Sequence, residues 1–185
     1  KDDRCVYVHG ERVADVTEHP AFRGIIGTVS ALYDAAADPT NGMVHTDPET
    51  GCDANKIYMI PRSRADLEER REAIARWAQM TNGLLGRGPD HVGGFLAGFA
   101  SAPAFFERFG ENVTRFYRQV AKESLFVTYV IIPPQVDRSQ TAQGQEEAFL
   151  QVGVCGQREG GIVLRGAQML GTSTAVSDHL FVSCI

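Results

Sequence analysis

The chain has 185 residues, 43% of them hydrophobic and 22% charged, which is enough for one ordinary domain or two small ones and too apolar for a disordered protein. With 18 basic residues against 23 acidic, a net charge of -5 and no block of Lys or Arg, it lacks the electrostatic footprint for a phosphate backbone, and no nucleic-acid partner is expected. No apolar run reaches the roughly 20 residues that cross a bilayer and no secretory leader opens the sequence, so the expectation is a soluble, cytoplasmic protein with no membrane partner.

In chain order, Cys5 to Val13 alternates apolar and polar residues around His9-Gly10, the pattern of a small hairpin. Thr17 offers an N-cap oxygen and Pro20 suits a first helical turn, predicting a helix to about Ala37 that Asp38-Pro39-Thr40-Asn41-Gly42 ends. The stretch through Asn55, with Pro48 and Gly51, reads as a long flexible loop. Ser63 then caps a helix with Leu67, Ile74, Trp77 and Ala78 on one face, and Asp66–Arg70 and Glu72–Arg76 are expected to pair at four-residue spacing on its solvated face. A glycine-bearing turn from Gly83 to Pro89 leads into a third helix with Val92, Phe95, Leu96 and Phe99. The next helix carries Val113, Phe116, Tyr117, Val120 and Ala121 at i, i+3, i+4, i+7, i+8. At Leu125 the period changes. Phe126 to Ile132 is rich in β-branched and aromatic residues and ends at Pro133-Pro134, and further strand-like runs cover Phe149 to Val154, Ile162 to Leu170 and His179 to Ser183. Arg158-Glu159-Gly160-Gly161 suits a hairpin turn. Helices followed by strands indicate an α+β chain, not a βαβ unit.

Phosphate-binding glycine loops, the zincin helix and the serine-hydrolase elbow are all absent. Cys5, Cys52, Cys155 and Cys184 are too scattered for a zinc site or a redox pair. They read as buried thiols in a reducing compartment, and no metal is expected. Three loop clusters carry the remaining polar chemistry. In Gly86-Arg87-Gly88-Pro89-Asp90-His91 an arginine precedes a helix N-terminus, which suits an anionic oxygen such as a phenolate or carboxylate; the same residues also read as a turn arginine paired with Asp90. Gln135, Asp137, Arg138 and Ser139 follow Pro133-Pro134 on a stiffened backbone, matching a flat heterocycle or, equally, a polar turn with an Asp–Arg pair. Gly166 to Thr174 offers small hydroxyl-bearing residues at a strand end, open to a ligand or simply a polar loop.

Taken in order, Val8-His9-Gly10-Glu11-Arg12-Val13, His19-Pro20-Ala21-Phe22-Arg23-Gly24, the Gly-Arg-x-Pro-Asp turn, Pro134-Gln135-Val136-Asp137-Arg138-Ser139 and Arg165-Gly166-Ala167-Gln168-Met169-Leu170 resemble the large oxygenase component of the two-component 4-hydroxyphenylacetate 3-monooxygenase and chlorophenol 4-monooxygenase family. The resemblance implies an acyl-CoA-dehydrogenase-like fold, in which residues 1–124 form the N-terminal helical domain and 125–185 the first strands of an antiparallel β-barrel domain, without the C-terminal helical bundle. It implies a flavoprotein that takes reduced FAD from a separate reductase, reacts it with oxygen to a flavin hydroperoxide and hydroxylates a phenol. A homotetramer is implied as well.

By position, Arg87 resembles the family's arginine that binds and polarises the phenolic oxygen. Gln135, Val136, Asp137, Arg138 and Ser139 resemble its flavin loop, and Thr172 a threonine near the flavin ring. His91 and Tyr129 stand where the hydroxyphenylacetate enzymes carry a tyrosine and a histidine bordering substrate or flavin. Those departures and the Ile132-Pro133-Pro134-Gln135 form point toward a halo- or nitrophenol that loses its substituent, with 4-hydroxyphenylacetate hydroxylation as the alternative. A CoA-ester dehydratase relative needs cysteine ligands near Arg87, and none lies between Cys52 and Cys155. A non-catalytic flavin-binding module is the reading from another class.

Overall fold

The computed structural model describes residues 2–135, 137, 139–141, 144–145 and 147–183. The chain forms two compact units, one of Lys1–Thr128 with Ser173–His179, the other of Tyr129–Thr172 with Leu180–Ile185. No helix among the described residues is long and apolar enough to cross a membrane.

The first unit opens with the expected hairpin, β1 (Val6–Val8) against β2 (Glu11–Val13). His9 and Gly10 both take positive φ, 51° and 85°, as a two-residue turn matched to strand twist requires. Helix α1 spans Pro20–Ala37, but its cap is His19, whose Nδ1 accepts from the Ala21 amide at 3.1 Å. Thr17 is not the cap because its hydroxyl is already committed to Asp15 at 2.6 Å. The helix ends where Asp38 accepts from Thr40 and Gly42 turns left-handed at φ 60°. What the composition presents as a loop contains a second antiparallel hairpin, β3 (Val44–Thr46) with β4 (Asp53–Asn55). Asp47 shapes its turn by accepting from the amides of Glu49 and Thr50. Glu49 pairs with both Arg62 and Arg118.

Ser63 and Asp66 form a reciprocal capping box at the start of α2 (Arg64–Met80). That commitment removes Asp66 from the expected pair with Arg70. Arg70 instead donates from Nε to the Ile57 carbonyl at 3.1 Å and is half-buried, while Arg76 reaches Asn41 and the four-residue pair that forms is Arg64–Glu68. Trp77 is buried as expected, with Ala73 beside it in place of Leu67 and Ala78, which are exposed. Helices α3 (Pro89–Ser101) and α4 (Gly110–Glu123) are joined by a 3-10 segment, Pro103–Phe109, and α4 buries Tyr117, Val120 and Ala121 on its apolar face.

These helices converge on Tyr58, 1% exposed in a short 3-10 turn before α2. Its hydroxyl donates to the Leu125 carbonyl at 2.9 Å and meets the Tyr33 hydroxyl of α1 at 3.2 Å; its carbonyl accepts from the Tyr117 hydroxyl of α4 at 2.8 Å. Gly93 of α3 lies against its ring, close enough that a Cβ there would stand 2.9 Å from two ring carbons.

Beyond α4 the backbone turns through Ser124 into β5 (Val127–Val130). The second unit contains the antiparallel hairpin β6 (Gly153–Arg158) with β7 (Gly161–Arg165), turning at Glu159-Gly160 as expected. The last strand, β8 (His179–Val182), pairs with β5. Bonds from His179 to the Phe126 carbonyl and from Ser183 to the Val130 carbonyl advance in the same sense along both segments, the progression of parallel strands. Among the described residues the strands form four two-stranded sheets, and these do not close into a barrel. Cys5, Cys52 and Cys155 are exposed, not buried thiols, and Cys184 lies outside the described residues.

The Tyr58 contact separates two glycines of one helix. Gly93→Ala forces the new methyl into the ring and is expected to lower stability by about 1–3 kcal/mol, whereas Gly98→Ala, with nothing within 4 Å of its Cβ position, is expected to raise it by about 0.5–1 kcal/mol. Urea unfolding of both variants checks the opposite signs.

Candidate functional site

The Arg87 turn is built by the entry into α3. Pro89 occupies the first helical turn, Gly88 is the N-cap without a side-chain bond, and the His91 amide donates to the Gly88 carbonyl at 3.0 Å. Arg87 therefore sits one residue outside a helix N-terminus, whose amides add a partial positive charge. Its side chain is half-buried, and Nη1 is buried without a hydrogen-bond partner. The expected alternative, a turn arginine paired with Asp90, does not form: among the described residues the ion pairs do not include Arg87. A buried guanidinium nitrogen with no acceptor is costly, and an anionic oxygen relieves that cost.

Asp90 is half-buried, and burial raises its carboxyl above its ordinary value against the opposing pull of its own amide, His91 and Arg70. His91 is half-buried, with its ring centroid 4.9 Å from Phe95.

The remaining expected site residues lie in the second unit. Tyr129, half-buried on β5, brings its hydroxyl to 2.7 Å from Ser183 Oγ and its ring centroid to 5.2 Å from Phe181. Gln135 and Thr172 are exposed, and the Thr172 amide donates to the Leu170 carbonyl at 3.0 Å. Asp137 accepts from both the amide (2.9 Å) and the hydroxyl (2.6 Å) of Ser139, which holds its carboxyl below the usual range. Val136 and Arg138 lie outside the described residues. Arg87 and His91 thus lie at the entry to α3 in the first unit, and Tyr129, Gln135, Asp137, Ser139 and Thr172 belong to the second.

Gln168 was not singled out from the sequence. Its Nε2 donates to the Ser183 carbonyl at 3.5 Å, while its Oε1 is buried with no partner. The signal was a polar side chain inside an otherwise apolar run, in the segment Arg165 to Leu170. Arg87 Nη1 in the first unit is a cationic donor fitted to an anionic oxygen, and Gln168 Oε1 in the second is an acceptor fitted to an N–H or O–H. Among the described residues no group of three or more His, Cys, Asp or Glu is placed to hold a metal ion.

Because the folded state raises the Asp90 carboxyl, its contribution is fully present below the ordinary pKa of about 4 and is lost as pH rises through the higher folded value. Asp90→Asn is therefore expected to raise the midpoint of thermal unfolding at pH 7.5 and to change it little at pH 3.5. A gain of equal size at both pH values would contradict the burial argument.

The family model described as 4-hydroxyphenylacetate 3-hydroxylase N terminal matches residues 1–185. The 4-hydroxyphenylacetate 3-monooxygenase oxygenase component of Thermus thermophilus is 38% identical over 175 residues, which cover 95% of this chain and 36% of that protein. A Streptomyces globisporus monooxygenase of carrier-bound (3S)-3-amino-3-(3-chloro-4-hydroxyphenyl)propanoyl is 35% identical over 187 residues, 99% of this chain and 35% of that protein. The chain thus spans little more than a third of the length of these relatives. A crystal structure of a 4-hydroxyphenylacetate 3-monooxygenase oxygenase component, complexed with FAD and 4-hydroxyphenylacetate, superposes with a TM-score of 0.80 at 37% identity, over 87% of this chain and 34% of that one. An archaeal 4-hydroxybutyryl-CoA dehydratase from N. maritimus, 21% identical with a TM-score of 0.80, shares the fold. Helical and strand segments in this order are the acyl-CoA-dehydrogenase-like arrangement, and the chain belongs to the 4-hydroxyphenylacetate 3-hydroxylase N-terminal family.

Proposed function

We propose that the chain is the N-terminal part of an oxygenase component that uses reduced FAD from a separate reductase, with oxygen, to hydroxylate a phenol bearing a para side chain, of the 4-hydroxyphenylacetate kind. The observation that carries the reading is the buried, unpartnered Nη1 of Arg87, in a chain whose whole length matches this family. The two relatives are named for substrates that share a 4-hydroxyphenyl ring with an acyl side chain, and that supports a para-substituted phenol ahead of the simple halo- or nitrophenol suggested by His91, Tyr129 and the Pro133-Pro134 pair. The dehydratase likeness speaks for fold alone.

Arg87 binds the phenolic oxygen and favours its ionised form, which drives electron density to the ring carbon beside it. His91 borders the substrate. Tyr129 borders substrate and flavin, its hydroxyl oriented by Ser183. The segment Gln135 to Ser139 and Thr172 hold the flavin, the turn at Asp137 being stiffened by its two bonds from Ser139. The chemistry that reduced FAD supplies when bound is the activation of oxygen for transfer to the ring. In this reading residues 1–124 are the N-terminal helical domain and 125–185 the opening strands of a middle β-barrel domain, in a cytoplasmic homotetramer.

In the full-length protein, Arg87→Ala is expected to lower hydroxylation of 4-hydroxyphenylacetate by about 100-fold or more while reduced-FAD affinity stays within about twofold of wild type. Product analysis with 4-hydroxyphenylacetate and 4-chlorophenol side by side checks the substrate class. An unchanged rate in Arg87→Ala removes that residue from the reaction, and turnover of 4-chlorophenol alone with chloride release returns the halophenol reading.

A further inference from the structure

We propose that Trp77, Thr81 and Asp90 together bind one buried water molecule between α2 and the first turn of α3, and that this water positions the Arg87 turn. The second half rests on the phenol-binding reading of Arg87; the first does not.

A cavity of about 40 Å³ lies between these elements, with Leu32, Ile74 and Leu85 among its apolar walls and Trp77, Thr81 and Asp90 as its polar lining. By the same measure a water needs about 10–15 Å³ and two to four polar partners, and both conditions are met. Trp77 is 3% exposed and its indole Nε1 is buried with no acceptor; an indole N–H only donates. Thr81 Oγ1 donates its single proton to the carbonyl of Trp77 at 3.1 Å or of Ala78 at 3.2 Å, so its oxygen offers the cavity an acceptor. The Asp90 carboxylate offers a second. One donor and two acceptors are the complement of one water, which accepts from Trp77 and donates to Thr81 and Asp90.

Leu85 and Asp90, both on this cavity, stand on either side of Arg87. A water fixed to α2 and bonded to Asp90 therefore restrains the short segment whose conformation decides where the guanidinium points. Trp77 and Thr81 are positioning residues, acting through the water and Asp90 without touching substrate.

Trp77→Phe deletes the N–H while keeping most of the ring, and Thr81→Val deletes the hydroxyl at nearly equal volume. A high-resolution crystal structure of the wild-type protein is expected to show one water within hydrogen-bonding distance of Trp77 Nε1, Thr81 Oγ1 and an Asp90 carboxylate oxygen, and that of Trp77→Phe to lack it. A dry cavity, or an indole N–H bonded directly to a protein oxygen, overturns the site. In the full-length enzyme both variants are expected to raise the KM for the phenol roughly 2- to 10-fold, with kcat and reduced-FAD affinity close to wild type. An unchanged KM in both, with the water present in wild type, overturns the positioning role. Wild-type enzyme that hydroxylates no phenol overturns the functional reading instead, and the electron density still decides the water.

Discussion

The first unit is tied together at the buried Tyr58. Four helices touch this one turn: α1 through the Tyr33 hydroxyl, α2 through Arg70 on the Ile57 carbonyl, α3 through Gly93 against the ring, and α4 through the Tyr117 hydroxyl and the Leu125 carbonyl that follows it. Burial lifts the phenols of Tyr33 and Tyr58 well above their usual value and that of Tyr117 to about 12, so all three keep their protons and remain donors near neutral pH. Each such bond is worth about 1 kcal/mol net, but leaving any of these buried groups unpaired costs more, and the arrangement is self-enforcing for that reason.

The candidate site inherits its geometry from this tie. Gly93 sets how closely α3 lies on Tyr58, the position of α3 sets where its first turn begins, and Arg87 stands one residue before that turn's cap. A side chain at the edge of the packed helices thus takes its placement from a glycine six residues away. In the second unit, Ser183 has the corresponding part: it meets the Tyr129 hydroxyl through its side chain and the Gln168 amide through its carbonyl.

Strong local periodicity made part of this legible in the sequence. The apolar stripe of α4, the Ser63 cap and the His9-Gly10 and Glu159-Gly160 turns are all local chemistry and are found where local chemistry puts them. The misses share a cause, which is competition from a partner distant in the chain or already engaged. Asp15 takes the Thr17 hydroxyl and leaves His19 to cap α1; the Ile57 carbonyl takes Arg70; three-residue strands cross-pair through a segment too short and polar to show alternation. Arg87 was legible as a residue but not as an orphaned cation, because spacing suggests a pair with Asp90 and only three-dimensional placement shows that the pair is not made.

Glu49, at the turn of the β3–β4 hairpin, shares one carboxylate between Arg62 ahead of α2 and Arg118 of α4. All three side chains are about half exposed, so salt weakens the attachment while leaving the apolar core untouched. Salt therefore loosens the tip of the hairpin first, while its base stays held by the buried Asn55 of β4 and by Met43, which precedes β3.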